Sequence, residues 1–257
     1  MFTGVKFAVF ILEFGVHLYY ISMDKSNKEK NMANNMDKYL KKIFALMFGA
    51  VGLTAVATYM TIWGGGLPYL FGANGFSGLY YVLLFGGLAF SIWAQVRAFS
   101  LKPATAAIML MIYAAIIGIT ITPLVAVSLA VNPASILYAF IVAAAMFACM
   151  ALFGYKTVKN LSGLGIFLFM GMIGLILVGI ASMIWPLGST FATIVCFIGV
   201  LVFALFTAYD MQNLKNAYNT LGRDENTGNQ LAVLGALHLY ISFIAIFQYI
   251  LSLFNRN

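Results

Sequence analysis

The chain has 257 residues, of which 63% are apolar and only 8% charged, with 14 Lys and Arg against 7 Asp and Glu. A soluble domain averages about 25% charged residues, so a water-soluble enzyme, a disordered chain and a nucleic-acid binder are excluded by the same shortage of charge. A mean hydropathy of +0.98 fits a protein that crosses the bilayer several times, and the net charge of +7 then reports loop topology rather than a polyanionic partner.

Residues 1–22, MFTGVKFAVFILEFGVHLYYIS, are apolar enough to reach a membrane, yet Lys6 and Glu13 would be costly in lipid. Three readings stand: an extra span, an amphipathic surface helix, or translated upstream sequence ahead of a start at Met23 or Met36. The polar run MDKSNKEKN from Met23 favours the last, and Tyr19-Tyr20-Ile21-Ser22 is a poor signal-peptide cleavage site. Residues 23–42 are basic and complete an N-terminal segment, 1–42, ahead of a membrane domain, 43–257.

Seven apolar runs of bilayer length follow: 43–63, 79–94, 105–129, 136–153, 163–185, 190–209 and 231–254. The third carries Pro123 near its far end, where a helix kinks or stops. The loops between the runs alternate strictly in charge. Lys25, Lys28, Lys30, Lys38, Lys41 and Lys42 precede the first run, Arg97 and Lys102 follow the second, Lys156 and Lys159 the fourth, and Lys215 and Arg223 the sixth. The intervening loops 64–78, 130–135 and 186–189 carry no charge. Positive loops stay inside, so residues 23–42 are expected in the cytoplasm and the C-terminus outside.

In lipid, helices associate through small residues that let backbones approach. Ala50, Thr54 and Thr58 line one face of the first run, Ala114, Gly118 and Thr122 one face of the third, and Gly171 and Gly174 flank a similar surface on the fifth. Cys149 and Cys196 sit in apolar runs without paired spacing and read as packing residues. There is no phosphate loop, nucleophile elbow, zinc motif or dinucleotide fingerprint. No enzyme chemistry, metal site or cofactor is expected. Nor is there an internal repeat of the kind carriers show.

Ionisable groups inside a span are functional candidates, because their desolvation must be offset. Between residues 38 and 223 the one acid is Asp210, at the inner end of the sixth run. The seventh run begins after an expected capping box, Thr227 with Gln230. A rise of about 1.5 Å per residue places His238 roughly 10 Å and Ser242 roughly 16 Å beyond Leu231, on one face. Arg97 ends the second run at the depth of Asp210 and is the candidate counter-charge, set against snorkelling to the headgroups.

Several of these segments resemble the Bax inhibitor family. They are Gly118-Ile119-Thr120-Ile121-Thr122-Pro123, Asn132-Pro133-Ala134-Ser135-Ile136 leading to Ala144-Ala145-Met146-Phe147, Phe206-Thr207-Ala208-Tyr209-Asp210-Met211-Gln212, and Gly235-Ala236-Leu237-His238-Leu239-Tyr240-Ile241-Ser242-Phe243-Ile244. The resemblance runs from about Lys38 to the C-terminus. It implies an all-α bundle of seven transmembrane helices with the last one central, in a bacterial inner membrane. It also implies a passive, pH-modulated leak for calcium or other cations, in which two acids on the sixth and seventh helices share a proton. Asp210 matches the first acid, and Ser242, which holds no proton to share, stands at the second. Either His238 supplies the titrating partner or the pH gate is lost. Some bacterial relatives with serine there are associated with restraining an FtsH-type membrane protease, so a non-conducting modulator is the alternative expectation. The site expected is therefore Asp210, His238 and Ser242, with Arg97 opposite and the lipid bilayer around it.

Overall fold

A computed structural model describes residues 35–72, 75–97, 101–185, 188–221 and 225–256. The readings made for residues 1–22, and the start at Met23, lie outside the described residues. Residues 42–257 form one compact unit, which carries the membrane domain.

Among the described residues, seven helices are long and apolar enough to cross a bilayer. They are α1 (Asn35–Trp63), α3 (Gly78–Arg97), α4 (Pro103–Val131), α5 (Ala134–Lys156), α6 (Ser162–Ile184), α7 (Ser189–Leu221) and α8 (Glu225–Phe254), with a short α2 (Leu67–Leu70) after the first. The expected seven-helix, all-α membrane architecture is therefore present.

Three helices outrun their apolar segments. α1 begins eight residues before the run at 43, α7 continues twelve residues past 209, and α8 starts six residues before 231. Hydropathy marks the hydrocarbon, whereas a helix continues into water as long as its backbone bonds and caps hold. The early start of α8 also corrects the capping expectation, since Thr227 lies inside the helix rather than ahead of it. Pro123 does not end α4, which runs eight residues further.

The uncharged segment after α1 is folded rather than loose. Gly65 turns the chain out of α1 at φ +76°, a left-handed conformation that glycine adopts without a Cβ penalty. After α2, β1 (Phe71–Gly72) and β2 (Gly75–Phe76) pair antiparallel, Phe71 opposite Phe76 and Gly72 opposite Gly75. The Phe71 and Phe76 rings stack with centroids 5.5 Å apart, and Phe76 stacks on Tyr80 of α3 at 4.3 Å.

Two of the expected small-residue faces meet each other. Thr54 Oγ1 lies 3.1 Å from the Ala114 carbonyl, and Thr58 Oγ1 donates to the Gly118 carbonyl at 2.8 Å. A Cβ at position 118 would stand 2.6 Å from the Thr54 carbonyl oxygen, so glycine there sets the α1–α4 distance. On α6, a Cβ on Gly171 would meet Val202 of α7 at 3.3 Å, while Gly174 faces open space.

α8 packs against α4, α5 and α7, and Tyr240 reaches Thr54 of α1. Of its apolar window 72% is buried, against 11% for α3 and for α6. Loop contacts define the two ends of the bundle. At one end Lys42 donates to Asn229, Gln230 to the Leu101 carbonyl, and Lys215 to the Tyr155 carbonyl. At the other, Asn255 donates to Ser128 Oγ and Arg256 reaches the Ser189 carbonyl. The first end carries the basic loops and is called the basic end below.

Candidate functional site

The basic end of α7 is fixed by its own polar groups. Gln212 is buried and acts as a peptide group would: its Oε1 accepts from the Leu161 N–H at 2.8 Å and its Nε2 donates to the Lys159 carbonyl at 2.8 Å. Both bonds go to the α5–α6 connection, which would otherwise bury unpaired backbone. Lys215, one turn on, donates to the Tyr155 carbonyl at 2.9 Å and sits 5.1 Å from the centre of the Tyr155 ring. Nearby, a Cβ at Gly154 of α5 would collide with the Ala208 backbone, its Cα at 2.7 Å. α5 and α7 therefore touch backbone to backbone just before Asp210.

Asp210 lies on this clamped stretch and faces α8. Its Oδ1 is 3.9 Å from His238 Nδ1, with 14% of the Asp210 side chain and 34% of the His238 side chain accessible. That separation is within ion-pair range for a protonated imidazole and too long for a direct hydrogen bond. The other ring nitrogen, His238 Nε2, lies 3.1 Å from Oε1 of Gln95 on α3. Three helices thus contribute one polar side chain each to a single line, Gln95, His238 and Asp210.

The site expected from sequence is assembled in part. Asp210 and His238 are brought together. Ser242, one turn further along α8, is buried. Arg97 is exposed at the end of α3, and among the described residues the ion pair at Asp210 is with His238 rather than with Arg97. Gln95 was missed: charge drew attention to Arg97, although Gln95 is the polar residue about half a helical turn earlier and thus on another face of α3. Among the described residues no group of three His, Cys, Asp or Glu is placed to hold a metal ion.

A second polar cluster lies deeper. Thr54 Oγ1 touches the Ala50 carbonyl at 2.9 Å, the Ala114 carbonyl at 3.1 Å and the Tyr240 hydroxyl at 2.7 Å. Carbonyl oxygens only accept, so the one Thr54 proton goes to them and Tyr240 is the donor to Thr54. The Tyr240 ring meets Tyr113 of α4 edge to face at 5.9 Å.

Seven apolar helices with a carboxylate and an imidazole paired near one end define an α-helical integral membrane protein with a polar site between its spans. The chain matches the family described as Inhibitor of apoptosis-promoting Bax1 over residues 36–257, and it belongs to that Bax inhibitor family. It is 36% identical to the inner membrane protein YbhL of Escherichia coli strain K12 across 68% of this chain and 74% of that protein. It is 30% identical to an uncharacterized protein of Borreliella burgdorferi, covering 90% of this chain and 97% of that one. An uncharacterized protein of Caulobacter vibrioides is 37% identical over 71% and 72% of the two chains.

Proposed function

We propose that the protein is a passive cation leak of the bacterial inner membrane, calcium among its permeants, with conduction modulated by protons at Asp210 and His238. The observation that carries this reading is the 3.9 Å contact between His238 Nδ1 and Asp210 Oδ1 at the basic end of the bundle. A carboxylate within a span attracts cations and is costly unless paired. Histidine is the side chain whose charge changes nearest neutral pH. Together they form a site whose net charge responds to protons, on helices otherwise free of acids between residues 38 and 223. The resemblance supplies the leak activity, and His238 takes the place of the acid that Ser242 lacks.

The experiment is calcium flux from proteoliposomes between pH 5 and pH 8. The wild-type protein should leak above protein-free vesicles with a rate that depends on pH, and Asp210→Asn and His238→Ala should each flatten that dependence. Vesicles no leakier than protein-free controls at every pH would remove the proposal.

A further inference from the structure

The Asp210–His238 contact has a third member whose chemistry constrains where protons can sit. Gln95 presents its carbonyl oxygen to His238 Nε2 at 3.1 Å, a hydrogen-bond distance, and an amide oxygen only accepts. The proton on that edge therefore belongs to Nε2. In a neutral imidazole the other nitrogen is then bare, and it is Nδ1 that faces Asp210 Oδ1 at 3.9 Å. A lone pair set against an ionised carboxylate repels. The contact is attractive only when one further proton lies on that edge, either on Nδ1 as imidazolium or on the carboxyl.

We infer that Gln95 is the positioning residue of this site: by accepting from Nε2–H it turns Nδ1 of His238 towards Asp210, so that the two cease to repel only when one of them carries a further proton. The inference rests on reading Asp210 and His238 as the proton-responsive pair. Loss of that proton leaves Asp210 and Nδ1 repelling at a point where α7 is anchored by Gln212 and Lys215.

The groups on the surrounding helices do not supply this proton contact themselves. Lys42 of α1 is held by Asn229, more than two turns earlier on α8. Tyr113 of α4 packs against Tyr240. Lys156 at the end of α5 and Arg97 on α3 are exposed. Asp210 is the group on α7 that meets His238, and among the described residues none of the others makes an ion pair with either member.

The chain has only two histidines, so His17→Gln leaves His238 as the one imidazole signal in a nitrogen-15 NMR spectrum of the full chain in lipid nanodiscs. At alkaline pH the proton should reside on Nε2. Gln95→Leu should lose the Nε2–H signal in favour of Nδ1–H, which the Asp210 carboxylate attracts, and Gln95→Glu, which keeps an acceptor oxygen, should retain the Nε2–H signal. A wild-type ring protonated on Nδ1, or a Gln95→Leu spectrum unchanged from wild type, would overturn the inference. If Gln95→Leu does not fold, the wild-type and Gln95→Glu spectra decide. The spectrum is read whether or not the protein conducts, so vesicles that do not leak would remove the proposed function and leave this assignment standing.

Discussion

Thr54 and Tyr240 show how proton accounting ranks two substitutions that look alike. Tyr240 donates to Thr54, and Thr54 passes its single proton to the Ala50 and Ala114 carbonyls. Thr54→Val keeps the shape but leaves the buried Tyr240 hydroxyl without its acceptor, and it removes the α1-to-α4 bond as well. Tyr240→Phe removes the donor and leaves Thr54 with both carbonyls. Interhelical hydrogen bonds in membrane proteins are worth about 0.6 kcal/mol on average and up to about 1.7, and an orphaned buried group adds its desolvation. Thr54→Val should therefore cost about 1–2 kcal/mol, Tyr240→Phe less than half of that. Thermal unfolding of both variants in one detergent checks the order, and an equal or reversed ranking would contradict the assigned proton directions. Sequence reading reached Thr54 as a small residue at a packing face, but its hydroxyl partner 186 positions away leaves no local signal.

At the scale of elements, hydropathy located each span among the described residues, because burying about 20 apolar residues in hydrocarbon is a local property of the chain. It did not locate the polar extensions of α1, α7 and α8, whose stability comes from bonds such as Lys42 to Asn229 and Gln212 to Leu161. Nor did it reveal α2 and the Phe71–Phe76 pairing, which follow the turn at Gly65 and carry a stack of rings. The site was legible to the extent that single residues carry charge: Asp210 and His238 stood out, while a neutral Gln95 on a third helix did not. The close contact of Gly154 of α5 with the Ala208 backbone of α7 has no flexible side chain that could yield. Gly154→Ala should thus force backbone displacement, costing about 1–3 kcal/mol as overpacking, and Gly154→Val should cost more. Gly174→Ala, which faces open space on α6, is the control expected to leave the thermal midpoint unchanged. A Gly154→Ala protein as stable as wild type would show that α5 and α7 do not meet this closely.

For the whole molecule, the ends of the bundle differ in charge in a way that predicts its orientation. Arg97, Lys102, Lys156, Lys159 and Lys215 lie on the helix ends and connections of one end, whereas the segments joining helices at the other hold no charge ahead of Arg256 near the C-terminus. Membrane insertion retains short basic loops on the cytoplasmic side, so the end bearing Asp210 and His238 should open to the cytoplasm and Asn132 should lie outside. With Cys149 and Cys196 both replaced, a cysteine at Asn132 should react with an impermeant maleimide on intact spheroplasts. A cysteine at Asn160, in the α5–α6 connection beside Lys159, should react only after permeabilisation. Moving basic residues to the uncharged loops, as with Asn132→Lys and Ala134→Lys together, should erode that asymmetry. The opposite labelling pattern would place the Asp210–His238 pair on the outer face, where it would respond to protons outside the cell rather than to those of the cytoplasm.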